Sequence, residues 1–311
     1  MSTAWVNGTL IVNTVLLTEM NREQRTMSED VDHDQIKSIH KRASMLLQLV
    51  SDQLELESEG KTLDVRFNVR QAAKLVGRSE NSIRRAEDAG DLPAPKKREG
   101  SGVREGYTLS DLNRMRDFFG TRPYRMEDEE PVVIAFQNFK GGVGKSTNSV
   151  HAAQYFALQG YRVLLVDIDP QASSTLLLEI NPAVDVDDDD TALPFLTHEH
   201  EDLRYAVRKT YWEGLDLIPS CLGLYNAEYT IAAGGSDPTN RFETLRRGID
   251  DIKYDYDVVI LDPPPALGMI SLNALRACNA LVIPTPPAVV DYGSTVTFLT
   301  MLVEVLEALE N

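Results

Sequence analysis

Phe139-Lys140-Gly141-Gly142-Val143-Gly144-Lys145-Ser146-Thr147, just beyond the apolar run Val132 to Phe136, carries the most specific chemistry of the chain. Glycines at 141, 142 and 144 permit a tight bend in which successive backbone N–H groups point at phosphate oxygens. A helix opening at Lys145 adds its positive N-terminal end. In such a loop the lysine of Gly-Lys-Ser meets the β- and γ-phosphates and the serine hydroxyl meets Mg²⁺, which assigns those roles to Lys145 and Ser146. Two further stretches deliver carboxylates. Arg162 to Gln171 ends an apolar strand on Asp167 and Asp169, and Tyr256 to Pro265 ends one on Asp262, positioned to hold Mg²⁺ or its water.

These groups need a scaffold that brings strand ends together. From residue 132 short apolar strands (132–137, 162–167, 215–219, 280–284) alternate with helical patterns (145–159, 240–252, 291–309). That alternation implies an α/β fold, a mostly parallel sheet covered by helices on both faces, with its ligands at the carboxyl ends of the strands. Val150, Ala153, Phe156 and Ala157 are expected inward on the first helix, Phe242, Leu245 and Ile249 on the second, and Val296, Leu299, Leu302, Val303 and Leu306 on the last. The aspartates at 185 and 187–190 lack cation-loop spacing and read as a mobile surface segment.

Ahead of this domain lies a different pattern. Val69 to Val76 reads as a helix stopped at Gly77, and Ser79 caps a second helix, Glu80 to Ala89, closed by Gly90. Helix, glycine turn and helix is a helix-turn-helix signature, whose second helix enters the major groove. Ile83 and Ala86 are expected in its core. Arg78, Ser79, Asn81, Ser82, Arg84 and Arg85 are the candidate DNA contacts there, and a β-hairpin wing over 95–107 adds Lys96, Lys97, Arg98 and Arg104. A further helix ends at Gly120. Ile36 to Leu56 carries apolar residues at spacings of three and four, a long amphipathic helix suited to dimerisation or to packing on a neighbouring domain.

Charge supports the division. The chain holds 48 Asp+Glu against 31 Lys+Arg, net −17, which argues against a generic polyanion binder. Residues 61 to 122 reverse this with 14 Lys/Arg and 9 Asp/Glu, net +5, leaving −22 elsewhere (−17 − 5 = −22). The expected organisation is therefore 1–27 disordered or preceding the true start at Met20 or Met27; 28–60 the dimerisation helix; 61–121 an all-α winged helix-turn-helix; 122–131 a charged linker; 132–311 the nucleotide domain. Cys221 and Cys278 have no CxxC partner, so a disulfide framework or a metal cluster is not expected. The first 17 residues lack the basic start of a signal peptide and are broken by polar residues, so neither secretion nor a membrane span is expected.

In order and spacing, Lys140 to Thr147, Asp167 to Gln171 and Asp262 to Pro264 resemble the three nucleotide motifs of ParA-type partition ATPases, within the MinD/ParA group whose loop carries an early second lysine. The helix-turn-helix ahead of them resembles the larger plasmid-borne members. The resemblance implies a P-loop NTPase that binds ATP/ADP and Mg²⁺, hydrolyses ATP as a sandwich homodimer, and segregates plasmid DNA with a ParB-type centromere-binding protein. It also implies operator DNA as a partner and repression of its own operon, a cytoplasmic, nucleoid-associated location and no stable membrane association. On this likeness Lys140 acts on the partner's phosphates and Lys145 on the chain's own. Ser146 and Asp262 hold Mg²⁺, with Asp167 a further candidate; Thr147 contacts the α-phosphate and Asp169 orients the attacking water. Relatives continue past the helix that ends near Leu309, so the chain is expected to be C-terminally incomplete. The rival functions are a nucleotide-responsive regulator without a segregation role and a MinD-like membrane-positioning ATPase.

Overall fold

The computed structural model describes residues 37–39, 41–43, 45, 63, 65–98, 100–123, 125, 126, 129–233 and 240–310. Residues 37–39, 41–43 and 45 are helical and belong to a unit of their own, 1–59. The remainder of the expected dimerisation helix and the expected start sites lie outside the described residues. Residues 60–311 form the second unit.

Three helices open that unit: α1 (Val69–Val76), α2 (Glu80–Ala89) and α3 (Leu109–Phe119). Each begins at a residue whose side chain accepts a first-turn N–H, namely Asn68, Ser79 and Thr108, and each ends at a glycine in the left-handed region, namely Gly77, Gly90 and Gly120. Between caps the apolar spacing does the folding. Ala72, Val76, Ile83, Leu112, Met115 and Tyr107 close into one small core, with Ile83 and Ala86 inward as expected. The hairpin expected over 95–107 is reduced to single antiparallel bridges, Lys97 to Arg104 and Phe67 to Tyr107. Glycines at 100, 102 and 106 take up the bend.

From β1 (Val132–Phe136) onward strands and helices alternate: α4 (Lys145–Gln159), β2 (Val163–Asp167), α5 (Ser173–Leu177), α6 (Leu193–Leu196), β3 (Arg208–Lys209), β4 (Leu215–Ile218), α7 (Tyr225–Ala233), α8 (Thr244–Ile252), β5 (Val258–Asp262), α9 (Met269–Ala277), β6 (Ala280–Val282) and α10 (Val289–Glu310). The sheet order is β3-β4-β2-β5-β1-β6, parallel except for the β3–β4 edge. Side-chain alternation along each strand splits the core into two layers. Ile134, Phe136, Leu165 and Ile260 meet Val150, Ala153 and Ala157 of α4 on one face. Val133, Ala135, Leu164, Val166, Val259 and Leu261 meet α8 and α9 on the other. Each fully buried leucine contributes about 1.5–3 kcal/mol relative to exposure.

Several inward assignments need correction. Phe242 is only half-buried and lies in the turn before α8, whereas Phe156, also half-buried, packs against the core as expected. Among the described side chains of α10, Thr295, Phe298 and Leu302 are buried, Leu302 as expected, whereas Val296, Leu299 and Val303 are 46%, 42% and 53% exposed, and the side chain of Leu306 lies outside the described residues. That helix is apolar all round, so periodicity leaves its inner face undetermined. Hydrogen bonds to buried Thr295 and the edge-on packing of Phe298 against Phe139 select it instead.

Candidate nucleotide site

Register builds the site. Neighbouring β2 and β5 pair residue for residue so that Asp167 lies opposite Asp262, and β1, on the other side of β5, leads into the glycine loop. All three strands run parallel, so their carboxyl ends meet at one edge of the sheet, where open α/β sheets place ligands. The loop turns through Gly142 and Gly144, both in the left-handed region at φ +78° and +86°, and Gly144 becomes the N-cap of α4. No side chain caps this helix. A β-carbon on Gly141 or Gly142 would meet open space. An uncapped N-terminus of a 15-residue helix beside an open glycine cradle fits a phosphate.

Lys145 and Val143 are buried, Ser146 is half-buried, and Gly141, Gly142 and Thr147 are exposed. Burial pushes the Lys145 ammonium below its ordinary pKa, opposed by the nearby carboxylates of Asp262 and Asp169. Asp262 is fully buried and accepts hydroxyl hydrogen bonds from Ser174 at 2.6 Å and Ser149 at 3.2 Å, with Ser146 a further donor. Burial raises its pKa, and the Ser174 and Ser146 hydroxyls together with Lys145 oppose the rise. Asp169 is also raised by burial, with the Gln171 N–H (2.9 Å) and Lys145 opposing. Lys145, Ser146, Asp169 and Asp262 thus form one electrostatic group. A bound divalent cation and a polyphosphate would compensate the buried carboxylates and the buried ammonium respectively.

Asp167 stands apart. Burial and the Asp262 charge raise its pKa well above the usual carboxylate range, and its oxygens accept from the Thr175 N–H and hydroxyl, both at 2.8 Å, and from the Asp169 N–H at 3.2 Å. It organises the loop after β2, and the Thr175 hydroxyl it holds also receives the Ser220 N–H at 2.9 Å.

The second lysine is directed elsewhere. Lys140 forms an ion pair with Asp291 in the first turn of α10. The two residues before it are held by the same helix: the Asn138 amide donates to the Thr295 hydroxyl at 3.3 Å, and the Phe139 ring packs edge-on against Phe298. Gln137, fully buried, donates to the Pro264 carbonyl at 3.1 Å, tying the end of β1 to the proline loop after Asp262. Sequence reasoning missed Gln137, Asn138, Ser149, Ser174, Thr175 and Asp291. Each is a common polar residue whose role follows only from long-range register; the one available signal was the Ser173-Ser174-Thr175 run after Asp169-Pro170-Gln171.

The candidate DNA residues divide into two sets. Asn81, Arg84, Arg85, Lys96, Lys97 and Arg98 present exposed side chains. The others are engaged within the protein. Ser79 caps α2 by accepting the Ser82 N–H at 3.1 Å, and the two hydroxyls share a hydrogen bond of 2.8 Å. Arg78 donates to the Phe119 carbonyl at 2.9 Å and lies over the Phe119 ring. Arg104 pairs with buried Glu87 at 2.5 Å, where the Tyr107 hydroxyl also donates at 2.6 Å. A cavity of about 570 Å³ lined by Arg162, Lys209, Trp212, Asp216 and Tyr256 lies at the opposite, N-terminal ends of the strands and so is not the phosphate cradle.

Comparison with known proteins agrees with this geometry. An AAA domain family model matches residues 132–310. The chain is 42% identical over 255 residues to Protein SopA of Escherichia coli K12, covering 80% of this chain and 66% of that one. It is 30% identical over 283 residues to a putative replication protein A of Sinorhizobium fredii, covering 85% and 69%. A solved structure described as a partition protein superposes with TM-score 0.64 at 28% identity, over 91% of this chain and 80% of that one. The chain spans about two thirds of the length of the first curated relatives it matches, 66% and 64%. Among the described residues no helix is long and apolar enough to cross a membrane. With a P-loop at the end of β1, carboxylates at the ends of β2 and β5, and these relatives, the chain belongs to the ParA family of partition ATPases.

Proposed function

We propose that this protein is an ATP-dependent DNA-partition ATPase that hydrolyses ATP as a homodimer and carries its own operator-binding module. The observation that carries the reading is the gathering of Lys145, Ser146, Asp169 and Asp262 at the uncapped N-terminus of α4. Gly141 to Thr147 would hold the phosphates of ATP or ADP, Ser146 and Asp262 would hold Mg²⁺, the latter through water, and the cation supplies neutralisation of developing phosphate charge. Asp169, buried and one strand away from Asp262, is the group suited to orienting water. Asp167 is committed to Thr175 and Asp169 and is assigned no direct ligand role.

Lys140 is assigned to a partner's phosphates. In the single chain its ammonium pairs with Asp291 of α10, and the assignment to a partner's phosphates rests on the family resemblance of the loop with its early second lysine. Operator binding is assigned to α2 through Asn81, Arg84 and Arg85, with Lys96, Lys97 and Arg98 on the phosphate backbone; Arg78, Ser79, Ser82 and Arg104 position these elements. The partition relatives support a ParB-type partner and association with nonspecific DNA. ATP turnover measured with and without DNA and a ParB-type protein tests the enzyme reading: it is slow alone, stimulated by both, and abolished in Lys145→Ala. Unchanged turnover in that variant contradicts it, and operator binding without any turnover favours a purely regulatory protein.

A further inference from the structure

The three-helix unit is joined to the P-loop domain by a buried charge. Arg116 of α3 is 1% exposed. One guanidinium nitrogen donates to the Leu158 carbonyl at 2.7 Å and the Leu75 carbonyl at 3.2 Å, and the other to the Asn113 side-chain oxygen at 2.7 Å. Leu158 lies in the last turn of α4 and Leu75 in the last turn of α1. Arg116 therefore caps two helix C-termini at once, where carbonyls lack intrahelical partners and the helix dipole is negative.

Neighbouring contacts aim the same way. Asn113 donates to Glu213 at 3.2 Å, and Arg122 donates to the Gly160 carbonyl at 3.3 Å. Leu158 and Trp212 of the nucleotide domain pack on the apolar core of the three helices. Gly160, at φ +102°, leaves the room: a β-carbon there would sit 2.9 Å from Arg116 Cδ. The acceptors of Arg116 are all neutral oxygens, so its burial is costly, and a long apolar side chain would fill the space with less desolvation. What the guanidinium adds is direction, a planar donor set that fixes the angle between the units.

The helix on which it rests is the helix of the phosphate cradle. From Lys145 to Leu158 is 13 residues, about 20 Å of continuous α-helix at 1.5 Å per residue. We propose that Arg116 is a positioning residue that binds the three-helix unit to the far end of α4, so that nucleotide bound at the near end is felt in the DNA-binding unit through α4. Ordering of the α4 N-terminus by phosphate restrains its C-terminus, and the guanidinium transmits that restraint to α1 and α3, on which recognition helix α2 packs. This inference rests on the nucleotide reading above and not on the identity of the operator.

Hydrogen exchange of the full chain, with and without Mg²⁺ and a slowly hydrolysed ATP analogue, tests it. In the wild-type protein nucleotide slows exchange at 139–150 and also across α1 and α3, by roughly tenfold or more. In Arg116→Met the protection at 139–150 is kept and that across α1 and α3 falls to within about twofold of the nucleotide-free value. Arg116→Lys, which keeps the charge but loses the fork, gives an intermediate result, and Gly160→Ala reproduces Arg116→Met from the opposite side of the contact. Circular-dichroism melts identify any variant that fails to fold, in which case the remaining two decide. Wild-type protection confined to 139–150, or protection of α1 and α3 that survives in Arg116→Met, overturns the inference and leaves the nucleotide reading standing. No protection anywhere in the wild type overturns both.

Discussion

Asp262 illustrates how a residue suited to chemistry is unsuited to stability. It lies fully buried opposite Asp167, and burial raises the pKa of both carboxyls. Without ligand the chain must either desolvate two neighbouring negative charges or keep a proton there. Replacing Asp262 by Asn removes one charge and keeps an acceptor oxygen for one of the two hydroxyls, Ser174 on Oδ2 or Ser149 on Oδ1, while the other can turn to accept from the amide NH2. Asp262→Asn is expected to stabilise the nucleotide-free protein by roughly 0.5–2 kcal/mol, read as a higher Tm, while abolishing Mg²⁺-dependent hydrolysis. A lower Tm would show that the carboxylate is held for structure. The aspartates themselves stand out in the sequence because apolar strands deliver them. The Ser149 and Ser174 hydroxyls that hold Asp262 do not, since serine occurs everywhere and gains this role only when register brings positions 113 and 88 residues apart together.

At the scale of elements the sequence spoke clearly where local rules decide. α1, α2 and α4 begin and end at the expected residues because cap and glycine signals stand at both ends or at the close of each. It spoke poorly where a distant partner decides, as on α10, whose inner face is chosen by Asn138 and Phe139. The hairpin joined to α2 is another such case. Arg104 reads as a phosphate contact, yet its charge is spent on Glu87, which also holds the Tyr107 hydroxyl. Burial and the Glu87 carboxylate push the Tyr107 phenol up to about 12. Because the folded pKa lies above the ordinary phenol value of 10.0, this stabilisation is complete below pH 10 and is lost as pH rises towards 12. Tyr107→Phe is expected to lower stability by about 1.5–3 kcal/mol at neutral pH and to flatten the alkaline decline, both read from denaturant melts at several pH values. An unchanged decline assigns alkaline unfolding to other groups.

For the whole molecule, a chain of net charge −17 would meet DNA only through a local reversal, and on the proposed reading the exposed set Arg84, Arg85, Lys96, Lys97 and Arg98 would carry that contact. Retention on operator DNA should fall with salt at a log–log slope of about −0.9 per phosphate contact, and Lys97→Ala should reduce the slope by roughly one. Arg84→Ala should weaken operator binding by about 1–3 kcal/mol with little effect on nonspecific DNA. Equal losses on both would make α2 a backbone-binding helix without sequence readout. The nucleotide end of the molecule is a separate matter, and its most distinctive residue is Lys140, held by Asp291 on the chain's own α10. The direct test of the proposed paired active site is ATP hydrolysis by Lys140→Ala with Mg²⁺, DNA and a ParB-type partner, measured beside nucleotide binding. Nucleotide affinity within about twofold of wild type, with stimulated turnover reduced on the order of 10³-fold or more as for other cations supplied in trans, is the predicted result; stimulated turnover equal to that of the wild type contradicts the account.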